Sequence, residues 1–317
     1  MLRFYSAADV HRALDFPRLV GALEHAFVRG ATVPLRHVHS LDESDLLLVM
    51  PAWRNSDSAL DPGALGVKLV TVFPGAAARR AATVAALYVL LDRATGEPRA
   101  VLDGEALTLR RTAAASALAA RFLARSDSKT LLVVGTGKLA PFLLRAHCAL
   151  RPALERVLLW GRTAQRAADL AQRLRAEGLP VERVDDLERA VRDADIVSCA
   201  TTATEPIVLG RWLAPGTHLD LVGGFTRSMR EVDDDAVASA FIVVDTYVGA
   251  LAEAGDLIVP LERGVIERSR IVAELAQVIR GERVGRAAAH HITLFKSVGT
   301  ALEDLAAAEL VTAAQAR

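Results

Sequence analysis

The sequence Leu131-Leu-Val-Val-Gly-Thr-Gly-Lys-Leu-Ala140 joins an apolar strand to a glycine turn and to the start of a helical pattern. In a Gly-x-Gly-x-x-Ala turn, the first glycine permits the tight bend and the second lets the backbone approach a pyrophosphate. The small third residue lets the helix pack close to the strand. The helical pattern covers 138–150, with Pro141 in its first turn, where a missing N–H costs little. We therefore expect a dinucleotide to bind here. The residues expected to contact it are Gly135, Thr136, Gly137, Lys138 and Leu139.

The end of the next strand bears on the form of the cofactor. An NAD enzyme places an Asp or Glu there for the ribose hydroxyls, whereas residues 156–160 are followed by Gly161-Arg162-Thr163. A guanidinium and a hydroxyl suit a 2′-phosphate, so the sequence favours NADPH, with NADH as a further cofactor. The alternative is that Arg162 is a solvated loop residue in an arginine-rich chain.

Length and composition indicate a two-domain protein that acts on a small molecule. The chain has 317 residues, 52% of them apolar, and its 38 Lys and Arg balance 38 Asp and Glu. This balance gives no reason to expect a nucleic acid or an anionic membrane as partner. Cys148 and Cys199 belong to no CxxC or Cys/His cluster, which indicates a reduced, cytoplasmic protein. No signal-peptide h-region or membrane-spanning run is expected.

The order of predicted elements gives the fold class. Two short helices open the chain, the second over 17–29, and closely spaced strands then predict an antiparallel sheet. The strands expected in this part are 35–40, 46–50, 65–73, 83–91 and 99–102. An alanine-rich helix over 112–124 and the polar segment 125–128 lead into strands and helices that alternate. That alternation predicts a Rossmann-type, doubly wound parallel sheet beside an α+β domain.

The second region supplies most of the predicted parallel elements. Its expected strands are 130–134, 156–160, 180–184, 195–199, 218–222, 241–244 and 292–296. Its expected helices are 138–150, 164–176, 187–192 and 271–279, followed by a final helix over 297–314. The domains are therefore expected at 1–124 with 297–317, and at 125–296.

Three cations flanked by apolar chain are candidates for a carboxylate site. Lys68 lies in a strand that is apolar on both faces, where a lysine must be paired, functional or snorkelling from an edge. With Arg36 and Arg111 it could hold a substrate carboxylate, although either arginine alone is typical of a surface. His290-His291 lacks the partners of a metal site, so no metal is expected.

Several motifs resemble the ornithine cyclodeaminase/mu-crystallin family of NAD(P)-dependent enzymes over nearly the whole chain. They are Gly66-Val-Lys-Leu-Val, Leu109-Arg-Arg-Thr-Ala-Ala-Ala-Ser116, Val134-Gly-Thr-Gly137, Ala200-Thr-Thr-Ala-Thr-Glu-Pro206 and Phe295-Lys-Ser-Val-Gly-Thr-Ala-Leu-Glu-Asp-Leu305. The resemblance implies a homodimer, with a substrate and dimerisation domain that the C-terminal helix completes. It implies carboxylate binding by Arg36, Lys68 and Arg111 and an active-site role for Thr83. Further cofactor contacts are expected at Thr201, Val222, Gly223, Ser297 and Val298.

One segment departs from the deaminating members of that family. They carry Gly-Gly-Asp followed a few positions on by Lys, whereas this chain has Phe225 and Met229 at those positions. Ornithine cyclisation needs a positioned acid or base and a polar seat for the distal ammonium, and phenylalanine supplies neither. Phe225 would instead form an apolar wall at the substrate. The stretch is similar to the Phe-Thr-Pro-x-Met-Arg-Glu pattern of the family's Δ1-pyrroline-2-carboxylate reductases, with Arg227 in place of the proline.

These observations predict an NADPH-preferring reductase of cyclic imino acids, which makes L-proline and L-pipecolate. Arg36, Lys68 and Arg111 would fix the carboxylate and so orient the imine carbon, and Lys68 and Thr83 are the expected catalytic residues. The alternatives are an ornithine cyclodeaminase, an enzyme similar to alanine dehydrogenase, and a binding protein without turnover that resembles mu-crystallin.

Overall fold

The computed structural model describes residues 2–56, 63–79 and 81–314. The chain forms two compact units, Met1–Thr112 with Thr300–Arg317, and Ala113–Gly299. The first of these divisions lies inside a continuous helix, α3 (Gly104–Leu123). The boundaries derived from the sequence, after residue 124 and after residue 296, stay predictions.

Within its described residues, the first unit contains a six-stranded sheet in the order β1-β6-β5-β4-β3-β2. Its strands are β1 (Arg3–Tyr5), β2 (His37–Ser40), β3 (Leu46–Arg54), β4 (Ala64–Val72), β5 (Val84–Leu91) and β6 (Pro98–Asp103). All neighbours are antiparallel except β1 and β6, which pair in parallel. The sequence predicts five of these strands but misses β1, because three residues are too few to show a period of two.

Three helices pack together with this sheet. They are α1 (Ala7–Ala13), which packs on β1 and β6, α2 (Phe16–Arg29), which packs on α11, and α11 (Ala301–Ala314) itself. Residues Pro74–Arg79 form a 3₁₀ helix. A capping box starts α1, because Ser6 Oγ accepts from the Asp9 amide and the Asp9 carboxylate accepts from the Ser6 amide. Helix α11 packs on β3, β4 and β5 and on α2. It therefore buries the side of β4 that carries Lys68.

Within its described residues, the second unit contains an eight-stranded parallel sheet in the order β13-β12-β14-β11-β10-β7-β8-β9. Its strands are β7 (Thr130–Val134), β8 (Arg156–Trp160), β9 (Val181–Arg183), β10 (Ile196–Cys199), β11 (His218–Leu221), β12 (Phe241–Val244), β13 (Ile271–Glu274) and β14 (Thr293–Lys296). Strand β7 has β8 on one side and β10 on the other. The direction of winding reverses between β7 and β10, and dinucleotides bind beside such a switch point. The predicted Rossmann-type fold class is confirmed.

The helices of the second unit connect these strands. They are α4 (Ala140–Leu150), α5 (Ala164–Ala176), α6 (Leu187–Asp193), α7 (Asp234–Ser239), α8 (Tyr247–Glu253), α9 (Gly255–Glu262) and α10 (Leu275–Ile279), with 3₁₀ turns at Gly210–Trp212 and Arg268–Arg270.

Three predicted helices differ from the structure. The helix predicted over 271–279 is wrong in its first half, because residues 271–274 pair with β12 as a strand. Helix α3 begins eight residues before the predicted residue 112, where the Asp103 carboxylate accepts from the Ala106 amide. The last helix begins at Ala301 rather than at residue 297.

Candidate functional site

The predicted dinucleotide turn follows β7, whose side chains are all buried. Gly135 has a φ of +125°, and a Cβ at this position would lie 2.5 Å from the Ala200 carbonyl oxygen. Its amide donates to the carbonyl oxygen of Trp160 at 2.9 Å. The turn is therefore fixed between the ends of β8 and β10, and only glycine fits there.

The residues after this turn form an open helix N-terminus. Apart from its two neighbours in the chain, no described residue has an atom within 4 Å of the place where a Cβ of Gly137 would be, and Gly137 and Lys138 are exposed. Leu139 is the N-cap of α4, and no side chain of the described residues caps it. Thr136 is half-buried beside them. The amides of Ala140, Phe142 and Leu143 donate to carbonyl oxygens of Gly137 and Leu139, and Pro141 has no N–H. The open turn before α4, rather than the first amides of the helix, therefore fits the pyrophosphate of a dinucleotide.

The end of β8 lies against the same turn. A Cβ at Gly161 would lie 2.4 Å from Cγ2 of Thr136, so this glycine permits the close approach. Arg162 and Thr163 follow and are exposed, and Thr163 is the N-cap of α5. The guanidinium and the hydroxyl are thus on the strand end next to the turn, in the position where a ribose is recognised.

The loops after β10 and β11 pack backbone against backbone. A Cβ at Gly223 would lie 2.2 Å from the carbonyl oxygen of Thr201 and 2.3 Å from its nitrogen. Val222 is buried, and its amide donates to the Cys199 carbonyl at 3.0 Å. These three predicted cofactor contacts therefore lie together at the carboxyl edge of the parallel sheet, beside the glycine turn.

A buried carboxylate that sequence reasoning missed lies under both loops. Oε1 of Glu231 accepts from the amide and the hydroxyl of Thr201 at 2.8 and 2.9 Å. Its Oε2 accepts from the amides of Gly223 and Gly224 at 2.8 and 3.3 Å. These donors of Thr201 and Gly223 are therefore engaged within the protein, and Glu231 fixes the two loops to each other.

Glu231 is itself held by a second buried pair. Asp256 accepts from the Glu231 amide at 2.7 Å through Oδ1 and from Lys296 Nζ at 2.9 Å through Oδ2. All three side chains are fully buried. Burial raises the pKa of Glu231 to about 7, although the Lys296 charge opposes this. Burial alone lowers the pKa of Lys296, but the charges of Asp256 and Glu231 raise it above its ordinary value.

The predicted contacts Ser297 and Val298 belong to a segment ordered by Asp245. Oδ2 of Asp245 accepts from Ser297 Oγ at 3.2 Å, from the Val298 amide at 2.8 Å and from the Gly299 amide at 2.7 Å. Gly299 has a φ of +83°. This turn explains why α11 begins at Ala301 and not at residue 297.

In the first unit, two of the predicted cations share one carboxylate. Lys68 Nζ lies 2.6 Å from Oδ2 of Asp304, and Arg111 Nε donates to Oδ1 of the same side chain at 3.0 Å. Arg111 Nη1 also donates to Oε2 of Glu303 at 2.8 Å. All four side chains are buried. We call these four residues the cation–carboxylate cluster.

Electrostatics links a third predicted cation to this cluster. Burial lowers the pKa of Lys68 to about 8, although Asp304 opposes this, and the charges of Arg111 and Arg36 lower it further. Arg36 is half-buried and therefore lies within electrostatic reach of Lys68. Thr83 is exposed and directly precedes β5. Lys68 and Arg111 thus share one carboxylate, and the charge of Arg36 acts on Lys68. The role of Thr83 stays a prediction.

Tyr88 lies beside Lys68, directly opposite it in the pairing of β4 with β5. Its ring is fully buried, and its hydroxyl has no hydrogen-bond partner in the described part of the chain. A Cβ at Gly66 would lie 2.1 Å from that hydroxyl oxygen, so Gly66 provides the space for the ring.

The predicted apolar wall lies in the loop after β11. Phe225 exposes 44% of its surface. The neighbouring Arg227 pairs with Glu262 on the surface, and the hydroxyls of Thr226 and Ser228 lie 3.3 Å apart. The assignment of Phe225 to a substrate site stays a prediction.

Comparison with known proteins places these features in context. A model of the ornithine cyclodeaminase/mu-crystallin family matches residues 2–316. Protein SAR DEFICIENT 4 of Arabidopsis thaliana is 42% identical over 284 residues, which are 88% of this chain and 86% of that protein. The Δ1-pyrroline-2-carboxylate reductase of Colwellia psychrerythraea is 35% identical over 320 residues, 98% of each chain.

Two solved structures have the same fold over their whole length. The Δ1-pyrroline-2-carboxylate reductase of Thermococcus litoralis, in complex with NADH and L-proline, has a TM-score of 0.91 and 34% identity, covering 98% of this chain and 97% of that one. An archaeal alanine dehydrogenase dimer with bound NAD has a TM-score of 0.90 and 28% identity, covering 99% and 95%.

Two kinds of feature are absent from the described residues. None of their helices combines the length and the apolar character needed to cross a membrane. Among the same residues, His, Cys, Asp and Glu side chains form no group of three or more suited to a metal ion.

Proposed function

Since this chain belongs to the ornithine cyclodeaminase/mu-crystallin family, we propose that it is an NAD(P)H-dependent oxidoreductase that reduces the C=N bond of cyclic imino acids. It converts Δ1-pyrroline-2-carboxylate to L-proline and Δ1-piperideine-2-carboxylate to L-pipecolate. The similarity to two Δ1-pyrroline-2-carboxylate reductases supports this reaction. The buried pair of Lys68 and Arg111 carries the proposal, because the carboxylate is the group that all imino acids share.

The cation–carboxylate cluster retains hydrogen-bond donors for a ligand. Its two cations balance its two carboxylates, and the positive charge of Arg36 acts on Lys68 from outside the cluster. Arg111 has further N–H groups besides those on Asp304 and Glu303, and the Lys68 ammonium has three donors. Glu303 and Asp304 hold the cations in fixed orientations. A substrate carboxylate is then bound by preorganised donors.

The reaction needs few other groups from the chain. A bound nicotinamide supplies the hydride. The cluster binds the carboxylate and thereby positions the imine carbon. A protonated cyclic imine is already electrophilic, so a dedicated strong acid is unnecessary, and Thr83 or an ordered water relays the proton. With a pKa of about 8, Lys68 stays mostly charged at neutral pH.

We propose that the enzyme prefers NADPH to NADH. The strand end at Gly161 bears Arg162 and Thr163, both exposed, where a carboxylate would recognise the free ribose hydroxyls. Charge-assisted bonds from a guanidinium favour a 2′-phosphate. The solved relatives contain NADH or NAD, so use of the unphosphorylated cofactor is also expected.

We also propose that two copies associate through the open face of the six-stranded sheet. Strand register places Phe4, Val67, Leu69, Leu87 and Val89 on the face opposite to Lys68 and Tyr88. Phe4 exposes 69% of its surface and Leu87 exposes 37%. An apolar sheet face of this kind marks an interface. The archaeal alanine dehydrogenase, which is a dimer, supports this assembly.

Analytical ultracentrifugation tests the assembly. We expect a dimer for the natural chain and a monomer for Leu87→Lys, because the substitution would bury an unpaired charge in the interface. Val265→Lys is the matched control, since Val265 is an exposed apolar residue of the second unit. A dimer that persists in Leu87→Lys would exclude this face.

A substrate panel tests the reaction. Oxidation of NADPH and NADH is followed with each of the two cyclic imines, and with pyruvate plus ammonia. Reduction of NADP⁺ and NAD⁺ is followed with alanine, and ornithine is tested for conversion to proline and ammonia. We expect turnover with the cyclic imines. Activity confined to ornithine, or to pyruvate with ammonia and alanine, would contradict the proposal. Tight cofactor binding without turnover of any substrate would instead support a binding protein.

A further inference from the structure

Glu231 connects the two loops that border the dinucleotide turn. Its Oε1 accepts from two donors of Thr201, in the loop after β10, and its Oε2 accepts from the amides of Gly223 and Gly224, after β11. Four donors therefore converge on two oxygens. A proton on either oxygen would face those donors, so the arrangement requires the carboxylate anion.

The loop after β10 also forms one wall of the glycine turn. Ala200 precedes Thr201, and its carbonyl oxygen is the atom that a Cβ at Gly135 would meet at 2.5 Å. A displacement of Thr201 would therefore move the wall against which Gly135 packs. Glu231 contacts this wall from the side of the protein interior, where it is fully buried.

We propose that Glu231 is a positioning residue of the cofactor site, whose anionic carboxylate holds the loops after β10 and β11 in the geometry that binds the dinucleotide. This inference rests on the proposed function. The Lys296–Asp256 pair holds Glu231 in place, because Asp256 accepts from the Glu231 amide and Lys296 supplies the compensating positive charge. Glu231, Asp256 and Lys296 thus act together as a buried charged support for the two loops.

The surroundings of Glu231 predict how its charge responds to pH. The ionisable groups that act on it or on its neighbours come from β10, β11, α9 and β14 and from the residue after β12. They are Cys199, Asp220, Asp256, Lys296 and Asp245. Burial, opposed by Lys296, raises the pKa of Glu231 to about 7. Protonation as the pH falls through this value would release the donors of the two loops and weaken cofactor binding.

The test measures the Kd of NADH by nicotinamide fluorescence, without substrate, between pH 5.5 and 8.5. NADH is the probe because it lacks the 2′-phosphate, whose second ionisation near pH 6 would add its own pH dependence. At pH 8.5 we expect Glu231→Gln to raise the Kd by about tenfold to a hundredfold, as expected for lost bonds to a buried charge. The matched control is Glu188→Gln, because Glu188 is an exposed carboxylate of the same unit, and its Kd should equal that of the natural chain.

The pH series separates positioning from simple damage to the fold. In the natural chain the Kd should rise about tenfold per pH unit as the pH falls below the Glu231 pKa. This rise of the Kd at low pH, which we call the pH limb, should be absent from Glu231→Gln. Lys296→Met should move the limb to higher pH, because it removes the charge that favours the carboxylate anion. This second variant decides the matter if Glu231→Gln fails to fold.

Two results would overturn the inference. One is a Kd for Glu231→Gln within twofold of that of the natural chain at pH 8.5. The other is a pH limb that neither Glu231→Gln nor Lys296→Met alters. Failure of the natural chain to bind either NADH or NADPH would be a different result, since it would contradict the proposed function itself.

Discussion

Replacement of Lys68 by methionine should weaken substrate binding far more than cofactor binding. Methionine keeps most of the length of the side chain but removes the ammonium that lies 2.6 Å from Asp304. A hydrogen bond to a charged group contributes about 1.5–3 kcal/mol. Loss of one such bond to the substrate carboxylate corresponds to a rise in KM of about tenfold to 150-fold.

The same change affects stability, and the two effects can be separated. Removing one partner of a buried ion pair costs up to about 3–5 kcal/mol, but Arg111 still pairs with Asp304 and should reduce that cost. Thermal unfolding therefore accompanies the kinetics, and KM is measured well below the midpoint. Lys129→Met is the control, because Lys129 forms an exposed pair with Glu155.

The pH dependence gives Lys68 a signature of its own. Burial lowers its pKa to about 8, so the ammonium loses its proton as the pH rises through 8. KM for the cyclic imine should therefore increase above pH 8 in the natural chain, and this increase should be absent from Lys68→Met. A KM for Lys68→Met within twofold of the natural value would refute the assignment of Lys68 to the carboxylate site.

Three further predictions concern the cofactor, the core and acid stability. Arg162→Ala should raise KM for NADPH by about tenfold or more and leave KM for NADH unchanged; equal effects on both would exclude a 2′-phosphate contact. Gly66→Ala should lower the free energy of unfolding by about 1–3 kcal/mol in urea titrations, because its Cβ would meet the Tyr88 hydroxyl at 2.1 Å. The control Gly21→Ala lies in α2, where a Cβ has open space among the described residues, and it should raise the free energy of unfolding by up to about 1 kcal/mol. Burial lowers the pKa of His218 to about 3, so the unfolded chain binds a proton that the folded chain does not between pH 6.5 and 3. Stability should fall there by about 1.4 kcal/mol per pH unit as the pH decreases, and His218→Asn should reduce that slope in urea titrations at pH 4, 5 and 6.

Local signals in the sequence predicted the parts of the fold that depend on short-range chemistry. The strand at 130–134 and the glycine turn were predictable because an apolar run, two glycines and a helical period lie next to one another. The sequence predicts a helix over residues 271–274 because a segment of four apolar and polar residues fits either the helical or the strand period. Pairing with β12, which the sequence does not show, makes them a strand.

The candidate site was predictable in its cations but not in its carboxylates. Lys68 is conspicuous because it is a charge in an apolar strand, which predicts a partner or a function. Glu303 and Asp304 lie in the first turn of α11, where acids are common for electrostatic reasons, so nothing local identifies them as partners of Lys68 and Arg111. Glu231 is similar, because its role depends on loops that precede it by 7 to 30 positions in the chain.

The most direct test of the central claim is the stoichiometry of the proposed reduction. Purified protein is incubated with NADPH and Δ1-pyrroline-2-carboxylate, the oxidation of NADPH is followed by absorbance, and the product is resolved by chiral chromatography. We predict one L-proline for each NADPH oxidised. Absence of NADPH oxidation with this imine, together with release of ammonia from ornithine, would contradict the claim.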